Sequence, residues 1–207
     1  MLDDIVFILE LIGTVAFAAS GAMIAIDRRM DIFGVATLGL FTAVGGGVIR
    51  DLILGNTPPL SFREPVYALT ALGAAALMFL KPMRRRFSAH QRVFDAALLW
   101  MDSVGLGVFT VTGVQVALLR HSNLYTAVFV GLVTGVGGGI LRDVMAGQTP
   151  FVFVKHFYAS ASLIGALACA LLWPAVGRLP ACLAGAFAVI ALRLLAARYQ
   201  WNLPRPD

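Results

Sequence analysis

Two stretches of the sequence place charged residues shortly after three consecutive glycines, inside segments that are otherwise strongly apolar. The first reads Gly45-Gly46-Gly47-Val48-Ile49-Arg50-Asp51, and Gly137-Gly138-Gly139-Ile140-Leu141-Arg142-Asp143 repeats it 92 residues later. Each glycine weakens a helix by about 1 kcal/mol relative to alanine, so the backbone there can bend or unwind. At membrane depth such backbone is tolerated only where protein or a water-filled cavity covers it. The motif therefore favours two kinked helices that line a conduit, with close packing through small residues as the alternative.

The four charges of this motif need a buried environment. A charge at the centre of a bilayer costs roughly 2.5 to 3.5 kcal/mol on insertion scales, so these side chains are not expected to face lipid. One hypothesis pairs Arg50 with Asp143 and Arg142 with Asp51, which would form two buried ion pairs that hold the two halves of the chain together. The alternative is that the four side chains line the conduit directly.

Further polar residues recur at matching places in the two halves. The aligned pairs are Thr42 with Thr134, Ser20 with Thr112, and Glu10 with Asp102. The hydroxyl groups can replace part of the hydration shell of a monovalent ion, although such groups also commonly bond to carbonyls of their own helix. The two carboxylates either draw cations toward opposite mouths of a pathway or lie in solvent at the membrane surface.

The composition places these residues in a polytopic, all-α membrane protein. Of 207 residues, 59% are hydrophobic and 13% are charged, and the mean hydropathy is +0.86. These values are too apolar for a soluble domain of this size. The net charge of +5 does not indicate nucleic-acid binding, because the basic residues collect at the ends of apolar segments. The beginning of the chain has no basic stretch, so the first apolar segment is predicted to be a retained helix rather than a signal peptide.

Apolar runs between charged or glycine- and proline-rich joints predict seven membrane-spanning helices. They lie at about 5–26, 32–54, 65–80, 94–119, 124–146, 157–173 and 181–197. The third and sixth are short, because 16 residues at about 1.5 Å each reach only about 24 Å. These two helices are therefore expected to need local thinning of the bilayer or protein cover at their ends.

The doubled motif belongs to a longer internal duplication. Residues 3–86 align without a gap with residues 95–178, which divides the chain into a first repeat at 1–86, a second repeat at 95–178, a seventh helix at 181–197 and a tail at 198–207. Each repeat holds three helices, so the second must enter the membrane from the opposite side. Inverted repeats of this kind place a transport pathway at their interface.

Lysine and arginine are concentrated in the joints after the first, third and fifth predicted helices and in the tail. The positive-inside rule assigns this richer side to the cytoplasm. The amino terminus is therefore predicted to lie outside and the carboxyl-terminal tail in the cytoplasm.

Signals for an enzyme or a metal site are weak. His90, His121 and His156 lie in separate joints without metal-ligand spacing, and no nucleophile motif or Walker loop accompanies them. Cys169 and Cys182 lie in apolar segments, which is typical of small packing residues rather than of a disulfide or metal pair. We therefore expect no enzymatic activity, no metal and no cofactor.

The tandem Gly-Gly-Gly-x-x-Arg-Asp motifs, each followed by Gly-x-Thr-Pro in a three-helix unit, resemble the bacterial members of the trimeric intracellular cation channel family. The resemblance covers the chain from about Leu2 to Arg198. It implies a seven-helix fold in the bacterial inner membrane, a homotrimer with one pore in each subunit, and potassium or sodium as permeant ions. It also implies that the glycine triplets kink the second and fifth membrane helices around the pore, with the Arg-Asp pairs on the pore lining or just behind it.

Two other functions stay open on the sequence. The same domain type carries the label of a glycine transporter, and spacing alone does not separate a channel from a carrier. Arg-Asp pairs could bind the carboxylate and the ammonium group of glycine or another small zwitterion. A third hypothesis is a membrane scaffold whose glycines serve only helix packing.

Overall fold

The computed structural model describes residues 2–83, 90–154 and 157–201. Within these ranges the regular structure is entirely helical. The helices are α1 (Leu2–Asp27), α2 (Ile32–Ile53), α3 (Leu60–Arg63), α4 (Pro65–Phe79), α5 (Gln91–Leu119), α6 (Leu124–Met145), α7 (Phe151–Val154), α8 (Tyr158–Val176) and α9 (Arg178–Tyr199). The predicted end of the first repeat at residue 86, and residues 202–207 of the predicted tail, lie outside the described residues.

Six of these helices, α1, α2, α5, α6, α8 and α9, are long and apolar enough to cross a membrane, and α4 is a shorter apolar helix. The short third helix of the prediction is confirmed, because α4 has 15 residues. The prediction of a short sixth helix is wrong. Its counterpart α8 has 19 residues and continues past Pro174 to Val176, because a proline in the last turn of a helix removes only one hydrogen bond near an end that already frays.

Matching capping residues begin the two glycine-bearing helices. The Asp31 side chain accepts a hydrogen bond of 2.8 Å from the Gly34 amide at the start of α2. The Asn123 side chain accepts one of the same length from the Thr126 amide at the start of α6. Both residues satisfy an amide that would otherwise have no partner in the first helical turn, which sets where each helix begins.

The same two helices end in matching glycine turns. Gly55 and Gly147 each adopt a left-handed conformation with φ of +67°. In each turn the next amide donates back to the carbonyl of the motif aspartate, at 2.7 Å from Asn56 to Asp51 and at 3.0 Å from Gln148 to Asp143. This is a Schellman-type helix end, and it places each Arg-Asp pair in the last turn of its helix.

Two further hydrogen bonds join the turn of one repeat to the first joint of the other. Arg28, after α1, donates from Nη2 to Gln148 Oε1 at 2.9 Å. Arg120, which follows α5 at the equivalent place, donates from Nη2 to Asn56 Oδ1 at 3.1 Å. Both arginines are exposed, so each bond contributes little stability, but together they tie the ends of α2 and α6 to the opposite repeat.

The helices pack around α2 and α6. Helix α2 packs against α1, α4 and α6, whereas α6 packs against α5 and α8. Helix α9 packs against α5 and α8, so its described contacts lie with the second half of the chain. At the centre the rings of Phe17 and Phe109, aligned in the two repeats, stack with their centroids 5.3 Å apart.

Replacing Gly55 or Gly147 with alanine is expected to destabilise the protein by about 1 kcal/mol, because alanine disfavours the left-handed region. No atom lies within 4 Å of an added Cβ at either position, so the cost is conformational rather than steric. The matched control is Gly73→Ala, at an exposed helical position with equally open space, which is expected to be neutral or stabilising. Urea unfolding of the three purified variants in detergent measures the difference, and equal effects at Gly55 and Gly73 would contradict the assignment.

Candidate functional site

The second glycine of each triplet lies where α2 and α6 cross. A Cβ added to Gly46 would lie 2.2 Å from the carbonyl oxygen of Thr134, and one added to Gly138 would lie 2.1 Å from that of Thr42. The two backbones are therefore in direct contact. Residue 42 faces 138 while residue 46 faces 134, so the helices run antiparallel at the crossing. Close packing through small residues, one of the two readings of the motif, is what the structure shows at these positions.

Both helices remain α-helical through their triplets. Helix α2 is continuous from Ile32 to Ile53 and α6 from Leu124 to Met145. The backbone therefore does not unwind at the glycines, because the helix-helix contact stabilises the helical conformation that the missing side chains would otherwise weaken. The kink of these helices stays a prediction.

The other glycines of the triplets have different neighbours. A Cβ at Gly45 would lie 2.4 Å from Leu141 Cδ1, and one at Gly137 would lie 3.3 Å from Gly46 Cα. These two glycines are therefore also part of the helix contact. A Cβ at Gly47 would meet open space, because its nearest neighbour would be Arg50 Nη2 at 3.9 Å. A Cβ at Gly139 would lie 3.0 Å from the hydroxyl oxygen of Tyr158. The third glycine of each triplet thus borders a polar site.

We call these two places the first-repeat site and the second-repeat site. The first-repeat site consists of Glu10, Arg50, Asp51, Ser61 and Tyr67. The second-repeat site consists of Asp102, Arg142, Asp143, Tyr158 and Arg193. Glu10 aligns with Asp102, and Arg50-Asp51 aligns with Arg142-Asp143, so the two sites share a core of equivalent residues.

Each motif arginine pairs with the aspartate that follows it. Nε of Arg50 lies 2.8 Å from Asp51 Oδ1, and Nε of Arg142 lies 2.8 Å from Asp143 Oδ1. The predicted pairing of Arg50 with Asp143 and of Arg142 with Asp51 is wrong. Because α2 and α6 cross antiparallel and each pair lies in the last turn of its own helix, the two pairs point away from each other along the helix axes.

The aspartates also organise the chain that follows each helix. The second carboxylate oxygen of Asp51 accepts a hydrogen bond of 2.8 Å from the amide of Leu60, the first residue of α3. The corresponding oxygen of Asp143 accepts one of 2.7 Å from the amide of Phe151, the first residue of α7. Each Asp therefore binds one arginine and the beginning of one short helix, which links the charge pairs to the tertiary structure.

The second-repeat site is a network of four charges. Arg142, which is fully buried, donates through Nη1 to Asp102 Oδ1 at 2.6 Å and to Ser20 Oγ. Arg193 of α9 approaches the other oxygen of Asp102, with Nη2 at 3.8 Å from Oδ2. Its guanidinium also lies over the ring of Tyr158, 4.5 Å from the centroid. Two guanidinium groups thus face two carboxylates, and the formal charges balance.

The first-repeat site is built differently. Tyr67 donates its hydroxyl proton to Glu10 Oε2 at 2.5 Å, and within the described part of the chain Arg50 forms no ion pair with Glu10. Both side chains line a cavity of about 30 Å³. A cavity of this size is large enough for a water molecule. Its polar lining includes Glu10, Arg50, Asp51, Ser61 and Tyr67, together with Thr14.

The aligned carboxylates of Glu10 and Asp102 were predicted either to draw cations toward a pathway or to lie in solvent at the membrane surface, and their burial decides against the second alternative. Glu10 is 9% exposed and Asp102 is 1% exposed. The reading that places both in solvent at the membrane surface is therefore wrong, and each instead lies inside one of the two polar sites.

The predicted hydroxyl groups mostly bond within their own helices. Thr42 and Thr134 each donate to the carbonyl four residues earlier at 2.6 Å, and Thr112 does so at 2.9 Å. Ser20 is the exception, because its Oγ accepts a hydrogen bond from Arg142. Thr42 and Thr134 thus lie at the helix crossing, and Ser20 contacts the second-repeat site through Arg142.

Four site residues, Ser61, Tyr67, Tyr158 and Arg193, did not emerge as candidates from the sequence. Arg193 was visible as a lone charge in the last apolar helix, but nothing in its spacing identified Asp102 as its partner. Tyr67 and Tyr158 lie near the start of apolar helices and do not align with each other in the repeat. Only their burial, at 9% and 3% exposed, and their contacts with charged groups reveal them.

The two cysteines pack against each other. Cys169 of α8 and Cys182 of α9 are buried free thiols whose sulfur atoms lie 3.9 Å apart. Across residues 2–83, 90–154 and 157–201, no group of three His, Cys, Asp or Glu side chains is arranged to hold a metal ion.

Comparison with known proteins matches the repeat twice. The sequence model of a family described as "Glycine transporter" matches residues 7–82 and again residues 99–174. A UPF0126 membrane protein of Deinococcus radiodurans is 41% identical over 198 residues, which cover 95% of this chain and 89% of the relative. The UPF0126 inner membrane protein YadS of Escherichia coli is 37% identical over 202 residues, which cover 97% of this chain and 95% of YadS.

A solved structure has the same fold. The TRIC trimeric intracellular cation channel orthologue from Rhodobacter sphaeroides superposes with a TM-score of 0.86 at 36% sequence identity. The match covers 95% of this chain and 98% of that chain.

Proposed function

This chain belongs to the family that contains the prokaryotic TRIC cation channels and the UPF0126 membrane proteins, and we propose that it is a potassium channel with a pore inside each subunit. The pore is proposed to pass along α2 and α6, between the first-repeat site and the second-repeat site. The glycine contact, where the two backbones touch, lies between these sites.

One observation carries the proposal: the subunit buries charged side chains on both sides of the antiparallel helix crossing. Among the described residues of the spanning helices, these are Glu10, Arg50, Asp51, Asp102, Arg142, Asp143 and Arg193. Ionisable residues inside membrane helices are expensive and mark ion pathways or the networks that control them. The named channel that shares this fold supports a cation as the permeant species.

The topology follows from the same contacts. We propose seven membrane helices, with α4 as the shortest, in two inverted repeats at 1–86 and 95–178. The antiparallel crossing of α2 and α6 supports the inversion. The distribution of Lys and Arg supports an external amino terminus and a cytoplasmic carboxyl terminus.

The surroundings of the channel are proposed from its relatives. The bacterial relatives are named as membrane or inner membrane proteins, which supports a multi-pass protein of the inner membrane. The name of the Rhodobacter orthologue supports a homotrimer. No cofactor and no enzymatic reaction are part of the proposal.

A secondary transporter for glycine or another small zwitterion is the alternative function. The description of the matching family model favours it, and the first-repeat site does bring an arginine and carboxylates to one cavity. However, a cavity of about 30 Å³ has room for only about two water molecules, whereas glycine has five non-hydrogen atoms. The size of the cavity therefore supports a permeant ion over an amino acid.

Single-channel recording tests the proposal directly. We expect discrete potassium currents when the purified protein is reconstituted in a planar bilayer under a potassium gradient, at about a million ions per second or more. A carrier is limited to much lower rates, because each cycle needs a rearrangement on the microsecond to millisecond timescale. Replacement of potassium by a large organic cation is the control and should abolish the current.

The other outcomes identify the alternatives. A silent bilayer together with saturable glycine uptake into matched liposomes would support the carrier. Silence in both assays with correctly assembled protein would support a scaffold and contradict both transport functions.

A further inference from the structure

The two repeats hold equivalent carboxylates in different electrostatic surroundings. Asp102 faces two guanidinium groups, one from Arg142 of its own repeat and one from Arg193 of α9. Glu10, its equivalent, is bonded by the neutral hydroxyl of Tyr67. Helix α9 lies outside the duplication, so the first repeat has no equivalent helix that could supply a counterpart of Arg193.

The formal charges of the two sites therefore differ. The second-repeat site contains two arginines and two aspartates and is neutral. The first-repeat site contains Arg50, Asp51 and Glu10, which leaves one negative charge when Glu10 is ionised. Because Nε of Arg50 is bonded to Asp51 at 2.8 Å, this pair is satisfied internally, and the remaining charge is that of Glu10. A buried negative charge in a site of low dielectric attracts a cation strongly.

The first-repeat site also contains oxygen atoms that could coordinate a cation. Glu10, Thr14 and Ser61 all line the cavity. The hydroxyl oxygen of Ser61 is buried and has no hydrogen-bond partner among the described residues. Hard monovalent cations prefer oxygen ligands of this kind. A potassium ion is close in size to a water molecule, so a cavity of about 30 Å³ fits one such ion.

We propose that the first-repeat cavity is a binding site for one monovalent cation, held by Glu10 with Ser61 and Thr14, and that Arg193 acts as the corresponding tethered cation in the second repeat. The duplicated core thus supplies two anionic positions, of which one is open to an ion and the other is neutralised by the protein. This inference rests on the proposed cation channel, because it assigns a discrete ion site to one end of that pathway.

Equilibrium binding tests the site without measuring current. The thermal unfolding midpoint of purified protein in detergent is recorded against potassium chloride, with N-methyl-D-glucamine chloride replacing potassium at constant ionic strength. A ligand that binds only the folded state raises its stability with increasing concentration. We expect the midpoint of the unchanged protein to rise with potassium, with a measurable half-saturating concentration.

Substitutions of Glu10 locate the effect. Glu10→Gln is expected to raise the half-saturating potassium concentration by at least about tenfold, because it removes the charge at nearly constant shape. Glu10→Asp keeps the charge one methylene further from the cavity and should lie between the two. The matched control is Glu64→Gln, which removes an exposed carboxylate at the start of α4 and should leave the potassium dependence unchanged.

Arg193→Gln tests the tethered cation. Removal of this guanidinium leaves Asp102 with one arginine fewer, so the variant should be less stable without potassium and should gain a larger potassium-induced shift than the unchanged protein. A loss of stability with an unchanged potassium response would overturn the role given to Arg193. If the variant does not accumulate, the Glu10 series decides the cation site by itself.

The outcomes separate this inference from the proposed function. Potassium currents from a protein whose unfolding midpoint ignores potassium, or whose Glu10→Gln variant responds like the unchanged protein, would overturn the cation site and leave the channel intact. A potassium response that depends on Glu10 in a protein without current would support the site and contradict the channel.

Discussion

Gly46→Ala is expected to destabilise the folded protein by about 3 kcal/mol or more. The added Cβ would lie 2.2 Å from the carbonyl oxygen of Thr134, which is backbone and is not free to rotate away. Overpacking of a tight interior commonly costs about 1 to 3 kcal/mol, and a clash with backbone lies at the upper end because a whole helix must shift. Gly138→Ala should behave in the same way, since its Cβ would lie 2.1 Å from Thr42 oxygen.

Urea unfolding in detergent, followed by circular dichroism, measures this loss. Gly47→Ala is the matched control, one position along the same helix, because the nearest atom to its Cβ is Arg50 Nη2 at 3.9 Å. Alanine is the better helix former, so Gly47→Ala should be neutral or stabilising by up to about 1 kcal/mol. If Gly46→Ala and Gly47→Ala both unfold at the same urea concentration as the unchanged protein, α2 and α6 are not in contact at the triplets. Equal destabilisation by both would show that the triplets act through helix flexibility instead.

Asp102→Asn is the second substitution with a large expected effect, a loss of about 3 to 5 kcal/mol. Removal of one partner from a buried ion pair leaves the other charge uncompensated, and Asp102 is the partner of two arginines. The substitution removes the contact of Arg142 at 2.6 Å and that of Arg193 at 3.8 Å, whereas the bond of Arg142 to Asp143 remains.

The equivalent substitution in the first repeat is the control. Glu10→Gln should cost only about 1 kcal/mol, because Glu10 is bonded by a neutral phenol and not by an arginine. Thermal or urea unfolding of both variants in potassium-free buffer gives the comparison. Equal losses at the two positions would contradict the asymmetry of the sites. A double-mutant cycle between Asp102 and Arg193 then measures their coupling, which for charges in one network is about 0.5 to 3 kcal/mol.

These two predictions concern different parts of the proposed pathway. The glycine crossing holds α2 and α6 together at the centre of the proposed pathway. The two charge networks lie on opposite sides of this crossing, each at the end of one helix. Opening of a pore between these helices requires that the contact at Gly46 and Gly138 separates, since no ion passes two backbones in van der Waals contact. The reciprocal hydrogen bonds of Arg28 with Gln148 and of Arg120 with Asn56 lie at the helix ends, where such a separation would stretch them.

The sequence by itself determined that the protein is an all-α membrane protein and that it contains an internal duplication. A long apolar run without charges has to be a buried or membrane helix, because its backbone groups find no other partners in lipid. Six of the predicted helices are therefore found close to their predicted places, and α4 is found as a short one. The capping residues, the glycine turns and the position of each Arg-Asp pair in a last helical turn all follow from local rules of helix ends.

The tertiary structure alone decided which charges meet. The sequence places Arg50, Asp51, Arg142 and Asp143 along their helices, and the predicted inversion makes the two helices antiparallel, but it does not state where along their length they cross. The antiparallel crossing moves the pairs apart, so each arginine binds its neighbouring aspartate instead of the one in the other repeat. Likewise Arg193 and Asp102 are 91 residues apart in sequence and meet only because α9 packs against α5. Local propensity and periodicity do not describe such contacts, and these contacts make the two equivalent sites different.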